Sequence, residues 1–364
     1  MGKDDAKIKE LEELIANSQY NKRTQKAIGQ YKAQLAKLKE KDEARKSGGK
    51  GGDGYAVRKT GDGTVVLLGF PSVGKSTLLN SITDADSEVG SYAFTTLTCI
   101  PGILDYEHAK IQILDVPGVV RGAASGRGRG TEVFAVLRSA DLILLLIDVN
   151  FPEHYDVLLR EVYESGIRIN QRRPDVKIKK TAKDGVKIGK TVRLTHLDDE
   201  TITAVLKEFK IANADVVIRS NITVDQLIDC IEDNKFYTPA ITILNKVDMV
   251  SLEKAKLIAK KVNADLLISG KNGAHLEDLK RLIFDKLNLI RIFMKEPGKA
   301  ADMDIPLIVF KGYSVRDVCT KLHKDFVKNF KFCRVWGKSA KFDGQKLTLK
   351  HKLVDGDVLE IHLR

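Results

Sequence analysis

The sequence contains no apolar stretch of the roughly 18 residues that a membrane-spanning helix needs. Its longest apolar run covers residues 142–147 and ends at Asp148, as expected of a buried strand. The chain is charged from Lys3 onward and has no apolar secretory core, so we expect a cytoplasmic protein without membrane contact. The four cysteines form no CxxC pair and the seven histidines form no HExxH motif. A disulfide framework and a zinc site are therefore not expected.

Acidic residues are outnumbered by basic ones, 49 to 61, which gives a formal net charge of +12. The excess is concentrated in three segments. Residues 21–60 contain twelve Lys or Arg and four acids, while residues 167–193 and 321–352 each contain ten and two. One basic run usually serves solubility, but three favour a polyanionic partner, because clustered Lys and Arg neutralise phosphates. From charge alone we expect a nucleic-acid partner, without specificity for DNA.

The hydrophobic pattern divides the chain into five segments. Residues 1–54 form a predicted helical hairpin and a glycine-rich linker. Strands and helices alternate over 55–165 and again over 238–291, which indicates a mostly parallel α/β sheet with helices on both faces. Residues 166–237 are too many for a loop of this fold and predict a small inserted α+β domain. Residues 292–364 predict a β-rich module with one helix over 315–326.

The predicted tail helix carries a basic stripe. Its lysines recur at three- and four-residue steps, which would place them on one helix face: Lys321, Lys324, Lys328 and Lys331. We favour contact with RNA phosphates over a purely solvated face for this stripe. The phenylalanines beside it are expected to be buried: Phe326, Phe330 and Phe332.

Residues 69–76 (GFPSVGKS) match the phosphate-binding pattern GxxxxGKS/T between a predicted strand and a predicted helix. Glycines let backbone N–H groups point at phosphates, and the helix N-terminus adds its positive dipole end. Lys75 is expected to reach the β- and γ-phosphates during catalysis, and the Ser76 hydroxyl to ligate Mg²⁺. The predicted nucleotide-binding residues of this loop are Pro71, Ser72, Val73, Gly74, Lys75, Ser76 and Thr77.

Residues 245–248 (NKVD) follow a predicted strand and indicate guanine as the base. Asp248 can accept hydrogen bonds from guanine N1–H and N2–H₂, whereas adenine would leave this carboxylate unpaired. Asn245 is expected to brace the loops, and the stem of Lys246 to cover the base. The next strand is followed by three further predicted nucleotide-binding residues, Ser269, Gly270 and Lys271. The backbone N–H of Gly270 is expected to bind guanine O6.

Residues 115–118 (DVPG) end another predicted strand and indicate a magnesium site. Asp115 is expected to hold Mg²⁺ through a water, and the Gly118 N–H to sense the γ-phosphate. A threonine of residues 94–97 (FTTL) is expected to ligate Mg²⁺ when the γ-phosphate is present. We favour Thr96 for this catalytic and metal-binding role and leave Thr95 open.

The ordered set GFPSVGKS, YAFTTL, DVPG, NKVD and SGK resembles the Obg-related GTPases. The glycine- and arginine-rich residues 121–130 narrow the resemblance to the developmentally regulated GTP-binding protein (DRG) family, and residues 335–338 and 355–357 are similar to parts of a TGS domain. The resemblance covers nearly the whole chain. It implies an α/β fold: a P-loop GTPase domain with a mostly parallel sheet, an inserted α+β domain, an N-terminal helical hairpin and a C-terminal β-grasp-like TGS domain.

Two positions depart from patterns seen in related GTPases. Ser72 stands where many relatives have an asparagine associated with K⁺, so a potassium requirement is left open. Val119 stands where Ras-type proteins have a water-positioning glutamine, and the DRG family shares this apolar residue. Hydrolysis is therefore expected to be slow or assisted. The arginines at 121, 127 and 129 are equally suited to transition-state stabilisation and to RNA contact.

These observations lead us to expect a Mg²⁺-dependent GTPase that binds GTP and GDP and acts as a switch on ribosomes or RNA in translation. The alternative is a GTP-gated RNA or ribosome adaptor in which hydrolysis is incidental. A more remote alternative is an ATPase of the Obg-like group, against which the NKVD motif argues. The family resemblance also leaves a regulatory protein partner open.

Overall fold

The computed structural model describes residues 3–46, 60–83, 100–117 and 130–364. The chain folds into two compact units. Unit 1 comprises Met1–Gly54 and Gln171–Tyr237, and unit 2 comprises Tyr55–Asn170 and Thr238–Arg364. The N-terminal helices and the inserted segment, which are far apart in the sequence, therefore belong to one unit.

The elements are numbered in chain order. The helices of the described ranges are α1 Lys3–Asn17, α2 Gln25–Lys46, α3 Lys75–Ile82, α4 Gly130–Ser139, α5 His154–Glu164, α6 Asp199–Glu208, α7 Val224–Glu232, α8 Leu252–Lys261, α9 Leu276–Leu287, α10 Val315–Leu322 and α11 Lys324–Asn329. The strands are β1 Gly63–Leu68, β2 Ile100–Tyr106, β3 Ala109–Asp115, β4 Leu142–Asp148, β5 Ile167–Ile169, β6 Val176–Lys180, β7 Val186–Lys190, β8 Ala214–Ile218, β9 Phe236–Thr238, β10 Ala240–Asn245, β11 Leu266–Leu267, β12 Leu289–Lys295, β13 Leu307–Phe310, β14 Phe330–Trp336, β15 Gln345–Leu347 and β16 Val358–Leu363. None of these helices is both long enough and apolar enough to cross a membrane.

A six-stranded sheet forms the centre of unit 2, in the order β11-β10-β4-β1-β3-β2. All its neighbouring pairs are parallel except β2 with β3, which is antiparallel. Strand β4 is buried along its whole length, which is typical of a parallel strand covered by helices on both faces. The predicted mostly parallel sheet is confirmed.

Helices cover both faces of this sheet because the strands are apolar on both faces. On one face, Val66 and Leu68 of β1 belong to a core that includes residues of α4, α5 and α8. On the other face, Val65 and Leu67 belong to a second core that includes residues of α3 and α9. Strand β1 lies between β3 and β4. The chain continues from β1 to β2 and β3 on one side of it, and then crosses to β4, β10 and β11 on the other side. Ligands of such sheets bind at the carboxyl ends of the strands beside this switch in strand order.

The C-terminal part of unit 2 contains a five-stranded sheet in the order β13-β12-β16-β14-β15. One face of it packs with α10 and α11 around a separate core. The prediction of one helix over residues 315–326 was wrong. Helix α10 ends before His323, which is extended at φ −160° and ψ 140°, and the imidazole Nδ1 then accepts a hydrogen bond from Asp325 N at 3.2 Å to start α11.

This break also removes the predicted lysine stripe. Lys331 lies in β14 and not on a helix, and Lys321 lies on α10 before the break. The Lys321 ammonium donates to Asp62 Oδ1 at 2.9 Å and to Ile308 O at 2.6 Å, so it stabilises unit 2. The four lysines therefore do not share one helix face.

Unit 1 joins the N-terminal helices to the inserted segment. Its three-stranded sheet has the order β6-β8-β7, with β6 antiparallel and β7 parallel to β8. Residues of α2, α6 and α7 form the core on one face of this sheet. Helix α2 approaches α6 closely at Gly29, where an added Cβ would lie 2.9 Å from Thr201 Cγ2. A larger residue there would separate the two helices.

Candidate nucleotide-binding site

The P-loop lies where β1 ends and α3 begins. Its backbone turns sharply, with Ser72 at φ 62° and Gly74 at φ 98°. A Cβ at Gly74 would lie 2.7 Å from Asn245 Nδ2, and one at Gly69 would lie 2.8 Å from Leu146 O. Glycine is therefore required at both positions, by backbone conformation and contact at Gly74 and by contact at Gly69. The loop delivers the chain directly to the N-terminus of α3.

Lys75 places a buried cation inside this loop. Lys75 is only 8% exposed. Its Nζ donates hydrogen bonds to Gly69 O and Phe70 O, both at 3.3 Å. Burial lowers the pKa of Lys75, and the nearby Asp115 charge opposes this shift. Among the described residues, no carboxylate is within ion-pair distance of this ammonium. A buried ammonium with these surroundings is suited to an anion at the loop.

Ser76 and Asp115 bring two oxygen ligands together beside the loop. The Ser76 hydroxyl donates to Asp115 Oδ2 at 2.5 Å, and Asp115 is buried at the carboxyl end of β3. Hydroxyl and carboxylate oxygens suit Mg²⁺, which usually takes one or two protein oxygens together with phosphates and waters. Within the described ranges, no group of three or more His, Cys, Asp or Glu side chains could hold a metal ion. The residues present therefore fit a nucleotide-bound Mg²⁺ and not an all-protein metal cage.

Asn245 connects the P-loop to the loop after β11. Its Nδ2 donates to Val73 O at 2.9 Å, and its Oδ1 accepts from Gly270 N at 3.1 Å. The residue is 2% exposed, so both bonds are shielded from water. The predicted bracing contacts are thus present in the geometry. The Gly270 N–H, however, already donates to Asn245, so a bond to guanine O6 would have to share or replace this one.

Lys246 also connects the loop after β10 to the P-loop, and it adds a contact with the end of β4. It adopts φ 63°, and its Nζ donates to Ser72 O and to Asp148 Oδ2, both at 2.7 Å. Asp148 was expected only to end a strand, and its contact with Lys246 was not predicted. The signal that could have predicted this contact is the position of Asp148, because it ends β4 in register with Asn245 at the end of β10.

The remaining predicted residues lie around this centre. Asp248 is exposed in the short 3₁₀ turn Val247–Met249, whereas Ser269 is buried and its Oγ accepts from Asn272 N at 3.2 Å. The other exposed members of the predicted set are Pro71, Ser72, Ser76, Thr77 and Lys271. Thr96 and Gly118 lie outside the described residues. The structure thus brings the P-loop, Asp115, NKVD and SGK to one edge of the sheet.

A parallel sheet with this loop, this buried lysine and these base-side motifs defines a P-loop GTPase. The sequence comparisons agree. Residues 64–180 match the family model of the 50S ribosome-binding GTPases, residues 183–289 match the C-terminal region of that domain, and residues 290–363 match the TGS domain.

Related proteins match along almost the whole chain. An uncharacterized GTP-binding protein of Methanocaldococcus jannaschii is 52% identical over 98% of this chain and 92% of its own length. Developmentally-regulated GTP-binding protein 1 of Xenopus laevis and ribosome-interacting GTPase 1 of Saccharomyces cerevisiae are each 42% identical over 98% of both chains. The chain belongs to the developmentally regulated GTP-binding protein family, and it is a GTPase with a C-terminal TGS domain. The family and activity predicted from the sequence are confirmed.

Proposed function

We propose that this GTPase is a Mg²⁺-dependent switch that acts on the ribosome or on RNA. The observation that carries the proposal is the buried Lys75 ammonium in a P-loop beside the Ser76–Asp115 oxygen pair. Buried positive charge next to oxygen ligands is the arrangement that phosphoryl transfer from a nucleoside triphosphate needs, because charge on the transferring phosphoryl group must be stabilised.

In this proposal, each part of the site has a separate role. Lys75 would neutralise the β- and γ-phosphates, and Ser76 and Asp115 would hold Mg²⁺. When bound, Mg²⁺ supplies Lewis-acid stabilisation of phosphate charge. Asp248 selects guanine by accepting its N–H groups, while Asn245 holds the base loop against the P-loop through its bonds to Val73 and Gly270.

The switch would respond to the γ-phosphate through residues 88–98 and 115–130. In such proteins, contacts to the γ-phosphate and its Mg²⁺ order two segments, which relax after hydrolysis. We assign γ-phosphate sensing to Gly118 and Mg²⁺ ligation to Thr96, with Thr95 as the alternative. Slow intrinsic hydrolysis follows from Val119, because its apolar side chain cannot orient a water. A potassium requirement stays open at Ser72.

The ribosome or RNA as partner rests on charge and on the relatives. The chain has a net charge of +12, and one relative is named a ribosome-interacting GTPase. The exposed face of the three-stranded sheet in unit 1 adds a local cluster of lysines. Lys179 and Lys187 lie on either side of Asp215 in register, and Lys177 is exposed on the same strand as Lys179. A protein of this function would act in the cytoplasm, as the sequence predicts.

The test is co-sedimentation with ribosomes of the source organism. We expect more protein in the ribosomal pellet with a non-hydrolysable GTP analogue than with GDP, and steeply less as salt increases. Equal pelleting with both nucleotides would contradict the switch. No pelleting and no RNA binding at low salt would contradict the partner. Nucleotide-dependent binding that persists in a hydrolysis-deficient variant with full biological activity would favour the adaptor alternative.

A further inference from the structure

The five-stranded sheet of the TGS domain has one face packed on its core and a second face directed outward. We call this second face the outer sheet face. Cross-strand register defines it, because Arg334 pairs with Lys346 and with Glu360, and Glu360 pairs with Lys295. Residues in register share a face of a sheet. The residues of the outer sheet face are Phe293, Lys295, Phe332, Arg334, Trp336, Lys346, Val358, Glu360 and His362.

Phe332 is on this face because it lies two residues before Arg334 and four before Trp336 in the regular part of β14. The register with β16 shifts between Phe330 and Phe332, so these two residues do not share a face as they would in a regular strand. Phe330 packs with the core, as Phe326 does, whereas Phe332 does not belong to that cluster. The three phenylalanines were expected to be buried, but all three are half-buried: Phe326 and Phe330 pack against the core, and Phe332 lies on the opposite face.

Aromatic rings and cations alternate on the outer sheet face. The Phe332 ring stacks on the His362 imidazole, with centroids 4.2 Å apart and planes inclined by 19°. The exposed Lys346 ammonium lies 4.4 Å from the centroid of Phe332. Lys295 lies over Trp336 at 4.9 Å. The rings are half-buried, so part of each remains accessible to a ligand.

The charge of this face is positive. Glu360 is its one carboxylate, and that side chain is 4% exposed and forms an ion pair with Lys295. The same carboxylate is 2.5 Å from His362 Nε2. Its charge is thus compensated within the sheet, which leaves the exposed Arg334 and Lys346 to act on a ligand. Two exposed cations beside stacked rings suit a partner with both phosphates and flat bases.

A ligand can displace the Lys346 ammonium from the Phe332 ring. An exposed cation–π contact is weaker than the stacking of a nucleobase on an aromatic side chain. A base can therefore take the position over Phe332 and release the Lys346 ammonium to a phosphate. An A-form duplex buries its bases, so it could use the cations of this face but not the rings.

We propose that the outer sheet face binds single-stranded RNA, with a base stacked on the Phe332–His362 pair and with Arg334 and Lys346 on the flanking phosphates. The proposal rests on the ribosome or RNA role proposed above and specifies its chemistry. An acidic protein partner would use the cations but has no base to stack, so the two partners differ in what they require of Phe332.

The first experiment uses the full wild-type chain, because Trp336 on this face is its one tryptophan. An oligouridine of about 12 nucleotides, within the roughly 4–16 nucleotides of comparable sites, is compared with an abasic ribose-phosphate oligomer of the same length. We expect oligouridine to bind at least about 5-fold more tightly and to change Trp336 emission saturably. Equal affinity for both oligomers, or binding without a change in Trp336 emission, would overturn the proposal.

The second experiment separates stacking from charge. Phe332→Leu keeps an apolar side chain but removes the ring, so it should weaken oligouridine binding about 5- to 150-fold and leave the abasic oligomer unaffected. Phe236→Leu, which changes an exposed phenylalanine outside this sheet, is the matched control. The double variant Arg334→Gln/Lys346→Gln should flatten the log–log salt dependence by about 0.7 per lost contact. An unchanged thermal unfolding profile, together with unchanged GTP affinity, shows that each variant is folded.

The two proposals fail separately. If the wild type pellets with ribosomes in a nucleotide-dependent way but shows no preference for oligouridine, the stacking face is wrong and the switch function stands. If oligouridine is preferred through Phe332 but the chain never pellets with ribosomes, the stacking face is supported and the ribosomal role is wrong. Equal weakening of both oligomers by Phe332→Leu would overturn the stacking face.

Discussion

Replacing Asn245 by alanine should uncouple the two loops that the site depends on. The side chain is 2% exposed and makes one bond to Val73 O in the P-loop and one to Gly270 N in the base-side loop. Alanine leaves a carbonyl and an N–H without partners. A buried polar group that loses its partner costs about 1–3 kcal/mol. Because water can reach part of the opened loop, we expect a total near the lower end, about 2–4 kcal/mol.

Much of this cost should appear in nucleotide affinity, because both affected loops belong to the proposed site. A loss of about 2 kcal/mol corresponds to roughly 30-fold weaker binding. We expect Asn245→Ala to weaken GTP and GDP binding similarly, since neither bond involves the γ-phosphate. Equilibrium titration with a fluorescent GTP analogue and a fluorescent GDP analogue measures both constants.

Asn329→Ala is the matched control, since this asparagine is exposed at the end of α11. It should change neither nucleotide affinity nor the denaturation midpoint by more than the roughly 0.5 kcal/mol typical of surface substitutions. If Asn245→Ala behaves like Asn329→Ala in both measurements, Asn245 does not couple the loops. If Asn245→Ala weakens GTP binding but not GDP binding, the expectation that the bonds to Val73 and Gly270 support both nucleotides equally is also wrong.

Three further substitutions test separate parts of the site. Asp248→Asn should lose guanine nucleotides and gain xanthosine triphosphate, because an amide N–H can donate to the xanthine 2-oxygen; full GTP affinity without this gain would exclude Asp248 as the base reader. Val119→Ala should change a turnover already far below the roughly 10 s⁻¹ enzyme median very little, and a hundredfold loss with intact affinity would contradict this. Gly74→Ala should weaken GTP binding at least about tenfold relative to Gly298→Ala, which shares the positive φ but has open space around it; equal effects would show that the contact with Asn245 is unimportant.

The parts of the fold that follow from periodicity and motifs could be predicted well. The P-loop helix Lys75–Ile82 and the helix Leu276–Leu287 begin and end where the apolar spacing and the adjacent motifs indicate. The continuous apolar run of β4 correctly indicated a buried parallel strand. These features are local, so a window of neighbouring residues contains the required information.

Features that depend on distant or irregular contacts could not be predicted in this way. The break at His323 interrupts an otherwise helical pattern, because the imidazole caps the following helix. The irregular register of β14 places Phe330 on the core face and leaves Phe332 on the opposite face, although their spacing suggests a shared face. The grouping of α2 with the inserted segment depends on contacts such as Gly29 with Thr201, which are remote in the sequence.

The candidate site was predictable as a set of motifs but not as a network. Spacing predicted a role for Asn245 and Lys246, and the structure shows what their side chains touch. Asp148 was missed as a site residue because a single aspartate at the end of a strand is common. Its contact with Lys246 depends on β10 lying beside β4, which is a property of the sheet order.

Single-turnover GTP hydrolysis by Lys75→Ala and Ser76→Asn tests the central claim most directly. We expect both variants to lose most or all hydrolysis, because one removes the buried ammonium and the other removes the hydroxyl beside Asp115. Lys254→Ala, at an exposed position of α8, should hydrolyse GTP like the wild type. Hydrolysis at the wild-type rate in both P-loop variants would contradict the assignment of this loop as the site of GTP hydrolysis.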